Sequence, residues 1–186
     1  MTASVLSPAQ RQALVELARR AVHHAATGGE DDPGAAPEGL SDPGAAFVTL
    51  RVDGALKGCI GSFEPRASLW HTVHEMATAA ATRDPRFDPV SLEDLNALGV
   101  EISVLSAPSR VTGPADIEIG RHGLEVRRGA SRGLLLPQVA TDHGLDRESF
   151  LGETCRKAGL AVDAWRQPGT EIHVFEADVF GDRTER

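Results

Sequence analysis

The residues with the most chemical potential stand together in Leu56-Lys57-Gly58-Cys59-Ile60-Gly61-Ser62-Phe63. In an extended segment side chains alternate, so Leu56, Gly58 and Ile60 point one way and Lys57, Cys59 and Gly61 the other. Lys57 and Cys59 then share a face, with Cα atoms roughly 7 Å apart. An ammonium near a thiol favours the thiolate, which is the nucleophilic and redox-active form. Gly58 and Gly61 leave the sulfur uncovered and permit a ligand to approach the backbone. The same spacing also suits a packed cysteine, because free Cys is among the most buried residue types and strand glycines often mark close packing. A second strand, Val100 to Leu105, puts Glu101 and Ser103 on the face away from Val100, Ile102 and Val104. If the two strands are neighbours, one surface carries an ammonium, a thiol, a carboxylate and a hydroxyl, and Glu101 can accept a proton or hold Lys57.

Other candidates are scattered. Arg86, in Asp84-Pro85-Arg86-Phe87-Asp88-Pro89, can reach an anionic ligand or pin its own loop through Asp84. His122, in Gly120-Arg121-His122-Gly123, occupies a glycine-punctuated turn that presents an imidazole either to a ligand or to solvent. His71, His74 and Glu75 have helical spacing, but His71 and Glu75 fall opposite the apolar stripe of their segment, which reads as a solvated face rather than a metal site. Cys155 shares a stripe with Leu151 and Ala158 and reads as core. It lies 96 residues from Cys59, so the two cysteines show neither zinc spacing nor a disulfide framework. With no Gly-rich phosphate loop, nucleophile elbow or zincin helix in the chain, no metal or cofactor is expected.

The elements that must position these groups follow from local signals. A chain of 186 residues suits one domain spanning 1–186. Ser7-Pro8-Ala9-Gln10 is a capping box with proline at the first helical position, and Leu14, Ala18, Ala21, Val22 and Ala25 follow at helical spacing. Residues 27–44, rich in Gly, Pro and acids, predict a mobile connector or surface loop. Val48, Leu50 and Val52 alternate with Thr49 and Arg51, and Asp53-Gly54 predicts a tight hairpin returning over Ala55 to Phe63. Ser68 caps a helix to about Thr82, which the prolines at 85 and 89 prevent from continuing. Ser91 to Leu98 predicts a short helix stopped by Gly99. Leu124 to Val126 and Gly133 to Leu136 read as strands. Asp146 caps a helix through Ala158 with Gly159 beyond it, and Ile172 to Phe180 reads as one strand broken by a bulge near Phe175 and Glu176. Without a regular alternation of strand and helix, the class is α+β rather than α/β.

The charge of −8 and pI near 5.3 argue against nucleic-acid binding. No apolar span or leader pattern is present, so the expectation is a cytoplasmic protein without a membrane partner.

Leu56-Lys57-Gly58-Cys59-Ile60-Gly61 resembles the L-R-G-C-I-G signature of the AMMECR-type domain, also called AmmeMemoRadiSam system protein A. Asp84-Pro85-Arg86-Phe87, Val100 to Leu105, His122-Gly123, Leu135-Leu136-Pro137-Gln138-Val139 and Cys155 to Leu160 are similar to later blocks of the family, in its order. The match covers about residues 45–180. Lys57 departs from the usual Arg, keeping the charge but losing the planar fork. The resemblance implies an antiparallel sheet flanked by helices, in two unequal lobes with a cleft between them that holds the signature. It also implies Memo-like and radical SAM proteins as partners in a small-molecule or modification pathway.

The leading expectation is therefore an enzyme or enzyme component acting in a Cys59-lined cleft. Cys59 would be the nucleophile or redox thiol, Lys57 the thiolate stabiliser and Glu101 the proton-transfer group. Gly58, Gly61, Arg86, Ser103, His122 and Gln138 would contact the ligand. The alternative is a non-catalytic protein-binding or scaffold module.

Overall fold

A computed structural model of the chain describes residues 6–29 and 31–182. In chain order its regular elements are α1 (Pro8–Thr27), β1 (Ala45–Val52), β2 (Ala55–Ser62), α2 (Leu69–Thr82), β3 (Leu98–Leu105), β4 (Ser109–Val111), β5 (Gly123–Arg128) and β6 (Ser131–Leu135). Then come α3 (Pro137–Asp142), α4 (Arg147–Lys157), β7 (Glu171–Phe175) and β8 (Ala177–Gly181). Two antiparallel four-stranded sheets with helices make the class α+β, as expected. The described residues form two compact units of unequal size: 6–105 with 178–182, and 106–177.

In the larger unit the strand order is β2-β1-β3-β8. The β1–β2 hairpin turns on Asp53 and Gly54, both at positive φ (50° and 81°), as a type I′ turn requires. Val48 and Leu50 of β1 and Val100 and Ile102 of β3 are fully buried with Leu14, Leu17 and Val22 of α1 and Val73, Ala77 and Ala80 of α2. That burial is the hydrophobic gain which holds the helices on this face of the sheet. Both helix starts form as their sequences predict: Ser7 and Gln10 complete the capping box, and the Ser68 side chain accepts from the His71 amide.

Within residues 31–44, several contacts tie the Gly/Pro-rich segment to α1 and α2. Leu40 is buried, the Trp70 indole donates to the Pro33 carbonyl (2.9 Å), and Asp31 pairs with Arg20 (3.3 Å) and His74 (3.2 Å). These long-range anchors belong to a segment that has no core of its own. The expected helix over 91–98 shrinks to a single 3₁₀ turn, Asp94–Ala97, and Leu98 and Gly99 begin β3 instead.

The smaller unit has the order β4-β7-β5-β6. Leu124, Ile172 and Val174 pack with Phe150 and Leu151 of α4 in its core. Asp146 caps α4, accepting the Ser149 amide at 2.8 Å. The strand expected over 172–180 is two strands. β7 lies in this sheet and β8 in the other, so the irregularity at Glu176 is a change of sheet rather than a bulge.

Gly58 explains how closely α2 lies on the sheet. A Cβ at this position would lie 2.1 Å from the carbonyl oxygen of Ala80, so α2 packs backbone to backbone against β2. Gly58→Ala is expected to destabilise by about 2 kcal/mol in urea unfolding, because only a backbone shift makes room. Gly113→Ala, where a Cβ meets nothing within 4 Å on extended backbone, is expected to change stability by less than about 0.5 kcal/mol.

Candidate functional site

The register of the larger sheet places Cys59 opposite Thr49, and Thr49 opposite Glu101. Residues directly paired across antiparallel strands share a face, so these three side chains form one row on the side away from α2. The next row is Gly61, Phe47 and Ser103. Cys59 and Glu101, on separate strands as the sequence predicts, are thus brought to one surface two strand spacings apart, roughly 10 Å. The Cys59 thiol is half-buried, and the Thr49 hydroxyl donates to its Sγ at 3.2 Å.

β2 is an edge strand, and its outward backbone groups at Cys59 are taken by the loop after α2. The Cys59 N–H donates to Asp84 Oδ2 (2.9 Å), and Arg86 Nη2 donates to the Cys59 carbonyl (3.3 Å). Arg86 also forks onto Asp84, with Nε to Oδ1 at 2.9 Å and Nη2 to Oδ2 at 2.7 Å, while its own amide donates to Oδ1 at 3.2 Å. Asp84 is buried, and the Arg86 hydrogen bonds hold its carboxyl far below the usual carboxylate range although burial opposes ionisation. The guanidinium itself is more than half exposed and lies 5.3 Å from the Phe87 ring centre.

Lys57 lies elsewhere. The register slips between Leu50 and Arg51, so Gly58 faces Leu50, Leu56 faces Arg51, and Lys57 is the extra residue. Its ammonium pairs with Asp94 at 3.1 Å. Asp94 is held ionised by the Ser91 amide first and by Lys57 as well. The cation beside Cys59 is therefore Arg86, and Lys57 fastens the hairpin to the segment before β3. The glycines also differ from expectation. Ala80 occupies the space above Gly58 and the Phe47 ring the space above Gly61, so both serve protein packing where ligand approach was expected. Ser103 is buried in the Phe47 row.

His122 and Gln138 belong to the smaller unit. The His122 Nδ1 accepts the Glu118 amide (3.1 Å) and so closes its own turn. The Gln138 Oε1 is enclosed without a hydrogen-bond partner. His71 bonds Ser68 (2.7 Å), His74 bonds Asp31, and among the described residues no group of three or more His, Cys, Asp or Glu is placed to hold a metal ion. Cys155 is fully buried, which pushes its thiol up from the ordinary value. Thr49 and Asp84 were missed as site residues. The alternation of β1 carries the signal for Thr49, whereas nothing local marks Asp84 as the partner of an amide 25 residues away.

The model of the AMMECR1 family matches residues 15–180. The chain belongs to the AMMECR1 family. The match begins inside α1 and takes in the Gly/Pro-rich segment, ahead of the expected start near 45. A Methanosarcina acetivorans protein is 40% identical over 190 residues, covering 96% of this chain and 94% of its own. A Methanothermobacter thermautotrophicus protein is 44% identical over 183 residues, covering 94% and 95%. The crystal structure of the uncharacterised protein PH0010 from Pyrococcus horikoshii is similar to this AMMECR1 chain with a TM-score of 0.83 and 42% identity, over 91% of this chain and 90% of that one. Among the described residues no helix is long and apolar enough to cross a membrane.

Asp84→Asn leaves one acceptor oxygen where four N–H donors share two, removes the charge, and is expected to cost about 2 kcal/mol at pH 7. Because the folded carboxyl titrates below its unfolded value, its contribution is complete above about pH 4 and is lost as the pH falls further. Urea midpoints of the two proteins, measured from pH 7 downwards, should therefore converge below about pH 4.

Proposed function

We propose that the sheet face around Cys59 carries thiolate chemistry on a small molecule, which makes this AMMECR1 chain an enzyme or the thiol-bearing component of one. The observation that supports this reading most is the treatment of one residue by its neighbours. The Cys59 backbone is bound at both N–H and C=O by Asp84 and Arg86, and its sulfur accepts a hydroxyl from Thr49. A guanidinium at the Cys59 carbonyl and a hydroxyl donating to its sulfur place a fixed cation and a hydrogen-bond donor around the thiol-bearing residue. Cys59 then attacks as nucleophile or acts as redox thiol, and Arg86 takes the stabilising role first expected of Lys57. Glu101, across Thr49, is the proton-transfer group, and the space over Thr49 between the two side chains receives the substrate. Both cysteines are free thiols, which suits the reducing cytoplasm. A Memo-like protein and a radical SAM protein are the partners in this reading.

A non-catalytic protein-binding role draws on Leu92, which is 59% exposed, and on the partly exposed Leu56.

Iodoacetamide labelling followed by peptide mass spectrometry tests the proposal, with buried Cys155 as the internal standard for an inert thiol. Cys59 is expected to label many-fold faster than Cys155, and Arg86→Gln and Thr49→Val are each expected to slow it by about five-fold or more. Labelling of Cys59 at the Cys155 rate, or at a rate indifferent to both substitutions, would rule out the thiolate role and leave the protein-binding one.

A further inference from the structure

Carboxylates taken out of water in this chain come with cations. Asp84 has Arg86, Asp94 has Lys57, and Glu125 of the smaller unit is forked by Arg127. Among the described residues, every buried or partly buried Asp or Glu is paired with an arginine or lysine except one, Glu101. Its carboxylate has neither an ion pair nor a hydrogen bond among those residues. Yet it lies in the Cys59 row, partly buried on the side of the sheet away from α1 and α2. An ionised group held partly out of water without a partner costs stability, and the fold answers every other such group.

The register shows what surrounds this carboxylate. Thr49 stands opposite on β1, with Phe47 and Arg51 on the two diagonals, and Gly99 and Ser103 are its same-face neighbours along β3. Toward β8 it meets Gly181, where a Cβ would lie 3.1 Å from the Glu101 Cα, so no side chain comes from that strand either. Of these neighbours only Arg51 is charged, and its Nη1 donates to the Gly54 carbonyl at the hairpin tip (3.3 Å). Glu101 is therefore the one formal charge in its row, and ionising Cys59 adds a second of the same sign. The adjoining row contributes an aromatic ring: Phe47, partly exposed, lies over Gly61. A carboxylate and an aromatic face attract the same kind of guest, a cation.

We propose that the small molecule received at the Cys59 face carries a protonated nitrogen, as in an amine or amidine, and that Glu101 is the residue that selects it. This inference rests on the thiolate reading of Cys59 and names the class of substrate for it. The proton that Glu101 transfers is then one borne by that nitrogen. Cys59 and Glu101 stand roughly 10 Å apart at the backbone, so the cationic nitrogen and the carbon facing the sulfur are different ends of one molecule. An anionic substrate would meet carboxylate and thiolate as like charges, and a neutral one would leave Glu101 unanswered.

Three methanethiosulfonate reagents test this on the full chain at pH 7 and low ionic strength, where charge effects are least screened. They share one reactive group and carry a trimethylammonium-ethyl, a sulfonatoethyl or a neutral methyl tail. Each forms a mixed disulfide with the thiolate and expels methanesulfinate. Rates at Cys59, read by peptide mass spectrometry, are divided by those on 2-mercaptoethanol to remove the reagents' own differences. The cationic reagent is expected to outpace the anionic one by about five-fold or more. Glu101→Gln should bring that ratio near one, whereas Glu75→Gln, the same charge change at an exposed position of α2, should leave it unchanged. A Cys59 that reacts with the neutral reagent no faster than Cys155 would sink the thiolate reading and this inference with it. A fast Cys59 that shows no preference for the cation, or a preference that survives Glu101→Gln, would overturn the cationic substrate alone.

Discussion

Everything notable about Cys59 depends on one buried carboxylate. The outer side of an edge strand offers backbone donors and acceptors that must be paired, covered or hydrated. Here a single short loop supplies both partners, Asp84 for the amide and Arg86 for the carbonyl. An ionised carboxylate can be taken out of water only when its lone pairs are answered, and Asp84 gathers N–H groups from the strand, from its own loop and from the guanidinium. Strand position, loop conformation and the placement of the positive charge are therefore one coupled arrangement. α2 is drawn into it as well, since it ends two residues before Asp84 and lies against the glycine that precedes Cys59.

What the sequence makes legible is whatever neighbours along the chain decide. The Ser7 capping box, the positive-φ turn at Asp53-Gly54, the Asp146 cap and the alternation in β1 and β3 all rest on interactions a few residues long, and each forms where its pattern stands. The facing of Cys59, Glu101 and Ser103 was readable for the same reason. Lys57 was not, because one unpaired residue in the hairpin shifts the alternation, and only the Asp94 carboxylate, 37 positions on, shows where the ammonium goes. The contacts of residues 31–44 with Trp70, His74 and Arg20 were not legible, because they join the segment to residues far away in the chain. The final strand was read as one because a change of sheet at Glu176 leaves the same break in alternation as a bulge.

The two units solve the same electrostatic problem in related ways. Asp84 and Glu125 are each nearly inaccessible, and each is held by forked guanidiniums rather than by ammonium groups. An arginine can satisfy both oxygens of a carboxylate with one rigid plane and still present further N–H groups outward, which a lysine cannot do. A chain whose cations are almost all arginine is well supplied for this. Each buried acid thereby becomes the foundation on which an outward-facing cation is oriented, whereas the partly buried Lys57–Asp94 pair ties two segments together.

The junction between β7 and β8 has a topological consequence. Ser106 and Glu176 exchange two hydrogen bonds, amide to carbonyl at 2.9 Å and amide to hydroxyl at 2.9 Å, at the point where the chain leaves the larger unit and comes back to it. From the standpoint of the β2-β1-β3-β8 sheet, the intervening seventy residues amount to a cross-connection whose ends are already stapled. Closure entropy grows only with the logarithm of such a connection's length, so lineages are at liberty to lengthen, trim or rebuild that insert while the strand carrying the thiol keeps its neighbours.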